Sequence, residues 1–191
     1  KQKKGPMGNA FVTRNPLLPD EFFQRQNIDP LVLEINRDVK FSLLKNRGRF
    51  TVRVATFRGK STMKLDEINR IQNGAKMKSA LADAADRAHR LTVALRRKGH
   101  EAYEYHDRYQ SLVTVGSFME LGHETSGGIQ LAPQIQQIMN TFKGKRRKVP
   151  GLVAPTMASR TIAGVPLDLQ PAPIEVPKQS IATAYARQPR P

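Results

Sequence analysis

The chain of 191 residues contains no cysteine and no tryptophan, and only 6% of its residues are aromatic. Without cysteine the protein has no disulfide framework, no thiol chemistry and no metal site built from thiolates. The apolar fraction is 39%, below the roughly 45–50% of an average globular domain. The hydrophobic core is therefore expected to be modest, and the chain length suits one domain with extensions.

Acidic residues are also scarce, because 16 Asp and Glu stand against 32 Lys and Arg and the formal net charge is +16. Such an excess indicates a polyanionic partner. Nucleic acid, anionic lipid and acidic wall polymer all qualify, and charge alone does not rank them. No apolar run approaches the roughly 18 residues that a membrane-spanning helix needs.

The most regular pattern lies in the middle of the chain, over residues 49–121. Residues 50–57 alternate between apolar and polar side chains, which predicts a half-buried strand. An apolar stripe at helical spacing follows and ends at Gly99, which favours a long helix packed on a sheet over a coiled coil. Two further alternating runs predict a hairpin over residues 102–118. The predicted core comprises Val52, Val54, Leu81, Leu91, Leu95, Val113 and Val115.

Regions on both sides of this middle part have their own patterns. The Asp29-Pro30 pair predicts a helix start, and an apolar stripe extends that helix to Gly48. Residues 129–142 predict a weaker helix, and residues 165–169 or 174–176 are the candidates for a final strand. The predicted division is an extended basic arm over residues 1–28, an α+β domain over 29–145 and a Pro-rich extended tail over 146–191.

Three motifs occur in the order of the predicted elements. They are V-x-V-x-x-F at Val52–Phe57, L-x-x-x-G-x-x-A-Y at Leu95–Tyr103 and V-x-V-G-x-F at Val113–Phe118. This series resembles the SPOR domain over about Arg49–Leu121. The resemblance implies an α+β fold in which a small antiparallel sheet is backed by helices. It also implies a role in binding peptidoglycan glycan strands in a bacterial cell envelope.

The SPOR resemblance assigns glycan binding to the sheet face opposite the core valines. On this chain it implies Arg53, Phe57, Thr114 and Phe118, whose guanidinium and aromatic rings could stack on sugar rings. The alternative is that the leading helix or the tail covers this face and makes it a second core. The spare apolar segments on both sides of the sheet favour this alternative.

The densest charge cluster follows the last predicted helix and comprises Lys143, Lys145, Arg146, Arg147 and Lys148. Such a cluster can clamp phosphates or an acidic glycan. It is equally typical of a solvated linker between a helix and a tail, and the sequence leaves both interpretations open.

Catalysis and metal binding have no candidate residues in the sequence. The four histidines have spacings that fit no metal motif. Carboxylate pairs such as Asp83/Asp86 and Glu101/Glu104 lie among basic residues on predicted solvent faces, without the cleft that a general acid–base pair needs. Neither a metal nor a cofactor is predicted, and a non-enzymatic function is expected.

These observations support two functional hypotheses. The first is a non-catalytic structural protein of a bacterial cell envelope, located in the periplasm; its start at Lys1 fits either the removal of an upstream segment such as an export signal or a fragment of a longer chain. It would bind peptidoglycan or neighbouring subunits of a large assembly, with the Pro-rich tail as an extended strap or added edge strand. The alternative is a cytoplasmic RNA- or ribosome-associated protein, because RNA-recognition modules share the same strand–helix–strand–strand order.

Overall fold

The computed structural model describes residues 15, 17, 28–58, 80–147 and 156–180, and its larger compact unit runs from Asp29 to Pro177. The described helices are α1 (Pro30–Arg37), α2 (Ala80–Arg97) and α3 (Pro133–Phe142), with a 3₁₀ turn at Leu43–Lys45. The described strands are β1 (Phe50–Arg58), β2 (Ala102–His106), β3 (Gln110–Phe118), β4 (Gly122–Thr125), β5 (Gly128–Leu131), β6 (Lys145–Arg147), β7 (Thr156–Ala158), β8 (Thr161–Ile162), β9 (Val165–Pro166) and β10 (Ala172–Glu175).

Four of the described strands form one antiparallel sheet in the order β10–β1–β3–β2. Because α2 lies between β1 and β2 in the chain, and α3 lies between β3 and β10, this is a split β-α-β arrangement. The α2 helix packs across one face of the sheet. The predicted α+β fold, a small antiparallel sheet packed on helices, is confirmed. The other described strands form the ribbons β4–β5, β6–β7 and β8–β9.

The main core lies between α2 and the sheet, as the apolar stripe predicted. Predicted core residues that are buried in it are Val52, Val54, Leu91, Leu95, Val113 and Val115. The prediction for Leu81 was wrong, because its side chain is 38% exposed. Leu81 lies in the first turn of α2, where it lines an open cleft beside Leu31 and Ile35 of α1.

The α1 helix begins as predicted but is shorter than the sequence indicated. Asp29 caps its N-terminus, and Pro30 occupies the first turn. The helix ends at Arg37, not near Gly48, and the following segment runs along the edge of β2, where the backbone N–H of Glu104 donates to the carbonyl of Phe41 at 2.9 Å. Pairing with the sheet edge competes with continuation of the helix, so tertiary contacts override the local helical pattern.

The segment predicted as a tail supplies the last strand of the sheet. β10 pairs with residues 50–53 of β1 and overlaps the candidate strand at 174–176. Before β10, the Asp168 carboxylate accepts hydrogen bonds from the N–H and the hydroxyl of Thr56 at 3.0 and 2.9 Å. The compact unit therefore extends to Pro177, beyond the predicted domain boundary.

The sheet face opposite α2 carries a second, smaller core. Leu43 from the 3₁₀ turn, Tyr103 from β2 and Val176 after β10 are buried together, and Tyr105 packs against them. Segments from before β1 and after β10 both contribute to this cluster. The alternative in which the chain's own flanking segments cover this face is therefore the one that the structure supports.

A buried polar cluster lies between β2 and α2. The Glu104 carboxylate is almost fully buried, with His89 Nδ1 at 3.0 Å and His106 Nε2 at 4.0 Å. Burial lowers the pKa of His106, the negative charge of Glu104 opposes that shift, and His89 adds to it. His106 Nδ1 also lies 2.8 Å from the Ser111 hydroxyl. The fold therefore favours the neutral imidazole of His106.

We expect truncation after Lys148 to abolish cooperative folding. The change removes β10, which pairs with β1, and Asp168, which binds Thr56 at the same edge. An unpaired β1 edge and an uncovered second core would remain. Thermal unfolding followed by circular dichroism measures the effect. A chain ending at Pro177 is the control and should keep its transition, and a cooperative transition in the shorter chain would contradict the role assigned to β10.

We expect Ala163→Gly to raise the free energy of unfolding. Ala163 and Gly164 join β8 to β9 with φ values of 50° and 75°. Positive φ at both positions suits a two-residue hairpin turn, but it strains alanine. After the greater unfolded-state entropy of glycine is subtracted, a gain of about 0.5–1 kcal/mol is expected in urea denaturation. Ala158→Gly, in β7, is the matched control and should not stabilise the protein.

We expect acidification below about pH 6.5 to destabilise the protein partly through His106. Its folded pKa is lowered, so the unfolded state binds the proton first and the free energy of unfolding falls as the pH falls. The free energy of unfolding of wild type minus that of His106→Gln, measured by urea denaturation from pH 8 to pH 5, should therefore become smaller as the pH falls. A constant difference for His106→Gln would refute this role.

Candidate polyanion-binding cleft

The structure separates the residues predicted for a glycan-binding face. Arg53 and Thr114 are cross-strand neighbours on the face opposite α2. Phe57 is buried in the main core, where the Arg87 guanidinium of α2 lies 5.7 Å from its ring centroid. Phe118 packs against the same core. The prediction that Phe57 and Phe118 share an open face with Arg53 was therefore wrong.

Two irregularities in the pairing of β1 with β3 cause this difference. Val54 is an extra residue on β1, so the side-chain alternation shifts after it and Phe57 turns toward α2. A second register shift lies between Phe118 and Val115 on β3, where Gly116 has a φ of +88°. Glycine adopts this backbone at little cost, and Phe118 is turned toward the main core.

The two residues that do lie on the predicted face are already engaged or covered. Thr114 is fully buried, and its hydroxyl has no hydrogen-bond partner among the described residues. The Nε of Arg53 lies 3.5 Å from the Asp168 carboxylate, which belongs to the segment leading into β10. The protein's own contacts therefore occupy the surface where sugar binding was expected.

Three of the five residues in the second predicted site line one cavity of the structure. Lys145, Arg146 and Arg147 form β6 and line an open cleft of about 620 Å³. Lys98, just beyond α2, and Arg160, just after β7, line the same cleft. We refer to this site, defined by these five cations, as the basic cleft. The residues converge from three separate parts of the chain.

The end of α2 brings Lys98 and His100 to the basic cleft. The helix ends at Arg97, and Gly99, the predicted capping residue, follows with a φ of +83°. The N–H of His100 donates to the carbonyl of Leu95 at 3.1 Å, and the N–H of Gly99 donates to that of Arg96 at 3.0 Å. These are the two bonds of a Schellman cap, which satisfies the last carbonyls and turns the chain.

The β6–β7 ribbon positions the other cations. At its start, the N–H of Gly144 donates to the carbonyl of Leu169 at 2.9 Å. At the same end of this antiparallel ribbon, just after β7, Arg160 Nε donates to the carbonyl of Lys143 at 3.1 Å, next to the C-terminus of α3. The ribbon is therefore fastened both to α3 and to the segment that leads into β10.

Among the described residues, no carboxylate forms an ion pair with the cations of the basic cleft. Lys98, Lys145, Arg146 and Arg147 are exposed, and no acidic side chain lines the described part of the cleft. Described acids pair with cations elsewhere, in Asp29–Arg108, Glu34–Arg37, Asp86–Arg90 and Asp168–Arg53. A concentration of one sign of charge in a concave site raises the local concentration of anions.

The wall of the basic cleft is partly apolar. Phe142, at the end of α3, is buried and meets His100 edge to face, with the ring centroids 5.1 Å apart and the planes at 70°. Ile162 adds an aliphatic side chain, and Ser159 and Thr161 add hydroxyls. The site therefore combines cations, a fixed imidazole, apolar surface and hydrogen-bonding groups.

Sequence reasoning found part of this site. Lys145, Arg146 and Arg147 were identified from charge density, and they line the basic cleft. Lys143 is exposed but does not line it, and Lys148 lies outside the described residues. Lys98 and Arg160 were missed, because they are distant in sequence and only the fold brings them to β6. No local pattern distinguishes them from other surface cations.

Among the described residues, no cluster of side chains is arranged as a metal site. They contain no group of three or more His, Asp or Glu side chains arranged to hold a metal ion. His89 and His106 contact Glu104, His100 contacts Phe142, and His123 is exposed on β4. In the same part of the chain, no helix combines the length and apolar character needed to cross a bilayer.

Comparisons with protein families, with curated proteins and with solved structures found no match to this chain. The resemblance to the SPOR domain therefore stays a prediction that rests on the three motifs described above. Functional inference depends on the chain's own geometry.

Proposed function

We propose that this protein is a non-catalytic module that binds a polyanionic polymer in the basic cleft. The observation that carries the proposal is the convergence of five cations, free of carboxylate partners among the described residues, around one cavity. These cations come from just beyond α2 (Lys98), from β6 and from the second residue after β7 (Arg160). A linker that is merely solvated needs no such convergence.

The chemistry of the cations suits an anionic polymer. Three of the five are arginines, whose planar guanidinium groups bind phosphate or carboxylate through two parallel hydrogen bonds. The whole chain carries a net charge of +16, which would attract a polyanion over a longer range. Local recognition and long-range attraction therefore favour the same class of partner.

If the protein binds a glycan in a cell envelope, the glycan site is not the sheet face that was expected. The face expected to stack on sugars has lost Phe57 and Phe118 to the main core, so a glycan would have to bind elsewhere, for instance through acidic groups in the basic cleft. Peptidoglycan, a periplasmic location and association with other subunits stay predictions. The alternative of RNA association is compatible with the same cleft.

We expect the combined substitution Lys145→Gln, Arg146→Gln and Arg147→Gln to weaken binding to any polyanion. Removing three cations should reduce the slope of log K against log salt concentration by roughly 2–3 if all three contact the polymer. Fluorescence anisotropy with labelled heparin and labelled oligonucleotides, at a series of salt concentrations, measures this slope.

The matched control removes the same charge from another surface. Lys40, Arg47 and Arg58 are exposed and do not line the basic cleft, so their combined substitution by Gln lowers the net charge equally. The control variant should keep most of the wild-type salt slope. Equal losses in the two variants would show that binding reflects overall charge and would refute a specific site.

A further inference from the structure

We propose that the ligand of the basic cleft is single-stranded nucleic acid, which rests on the proposed function and makes it more specific. A single strand presents both phosphates and unstacked bases to a protein. The basic cleft offers a matching partner for each, since cations line its rim and a fixed imidazole beside apolar side chains forms part of its wall.

The shape of the site discriminates among polyanions. A cleft of about 620 Å³ is within the size range of ligand pockets and receives a few flexible units of a chain. A duplex is a stiff rod whose bases are stacked inside, so it can contact the rim but cannot place a base in the cavity. A bilayer surface is flat and likewise cannot enter a concave site.

The wall of the cleft offers the His100 imidazole as a plane on which a base can stack, in addition to the charge of the cations. The backbone of His100 is held by the Schellman cap, and its imidazole makes the edge-to-face contact with Phe142. Imidazole and guanidinium planes are both surfaces on which single-stranded bases stack. A carboxylate-bearing glycan has no flat aromatic units, so it offers this wall a weaker contact than a nucleic-acid base does.

The cations are arranged for a backbone that runs past such a base. Lys145, Arg146 and Arg147 follow one another on β6, while Lys98 and Arg160 approach from other elements. Ser159 and Thr161 add hydroxyls that can donate to phosphate or sugar oxygens. Contacts to phosphates position a strand without selecting its sequence, so broad sequence tolerance is expected.

The test compares three labelled polyanions at the same salt concentration by fluorescence anisotropy. They are a single-stranded RNA of about 12 nucleotides, an RNA hairpin duplex with the same number of phosphates, and hyaluronan, a glycan that bears carboxylates. The unsubstituted 191-residue chain is compared with His100→Ala, His100→Tyr and the cleft variant that lacks the three β6 cations. Because alanine could disturb the packing of Phe142, His100→Leu keeps side-chain bulk there without a stacking plane, and thermal unfolding checks each variant.

We expect the single strand to bind at least 10-fold more tightly than the duplex or the glycan. His100→Ala and His100→Leu should weaken single-strand binding by roughly 5- to 100-fold with the salt slope unchanged, and His100→Tyr should retain it. Equal affinity for all three polymers, with dependence on the β6 cations, would overturn this inference and leave the proposed function standing. Binding to none of them, or binding that ignores the β6 cations, would overturn both.

Discussion

The pairing of β1 with β10 is the constraint on which the rest of the structure depends. β1 is a central strand, and one of its edges is filled by a segment more than 100 residues later in the chain. To reach that edge, the chain must pass from α3 around the end of α2 and back to the sheet. The β6–β7 ribbon and Arg160 lie on this path. The basic cleft is therefore a consequence of completing the sheet.

The basic cleft is strongly positive because the described carboxylates pair with cations in other parts of the structure. In the described part of the chain, the ion pairs lie on α1, on α2, at the β2–β3 turn and at the edge of β1. Two of these pairs lie within a single helix, whereas Asp29–Arg108 and Asp168–Arg53 join separate parts of the chain. The region around β6 has no such partners among the described residues, so its cations keep their capacity for an external anion. An exposed cation without a partner adds little to folding stability, but it adds directly to anion binding.

The irregularities in the sheet remove Phe57 and Phe118 from the face to which the SPOR resemblance assigned glycan binding. A single extra residue at Val54 reverses the alternation of β1 and moves Phe57 from an exposed surface to the main core. On the opposite face, Leu43 and Val176 cover Tyr103. A sheet with both faces used for packing has little free surface for a ligand, and the proposed binding site lies instead at the ends of α2 and α3 and on the ribbon beside them.

The sequence by itself determined those features that depend on local chemistry. Apolar alternation identified β1 and the β2–β3 hairpin, helical spacing identified α2, and Asp29 and Gly99 identified the helix ends where their side-chain and backbone preferences act. The net charge and the β6 cations predict a polyanionic partner, which stays a proposal, since electrostatic attraction needs only composition and proximity in sequence.

Only the tertiary structure decided the rest. Which candidate segment became the final strand, where α1 stopped and which face Phe57 took all depended on backbone pairing with distant residues. The fold alone also places Lys98 and Arg160 beside the cations of β6. Local propensities differ by less than the free energy of satisfying backbone hydrogen bonds and burying apolar surface, so long-range contacts determine these choices.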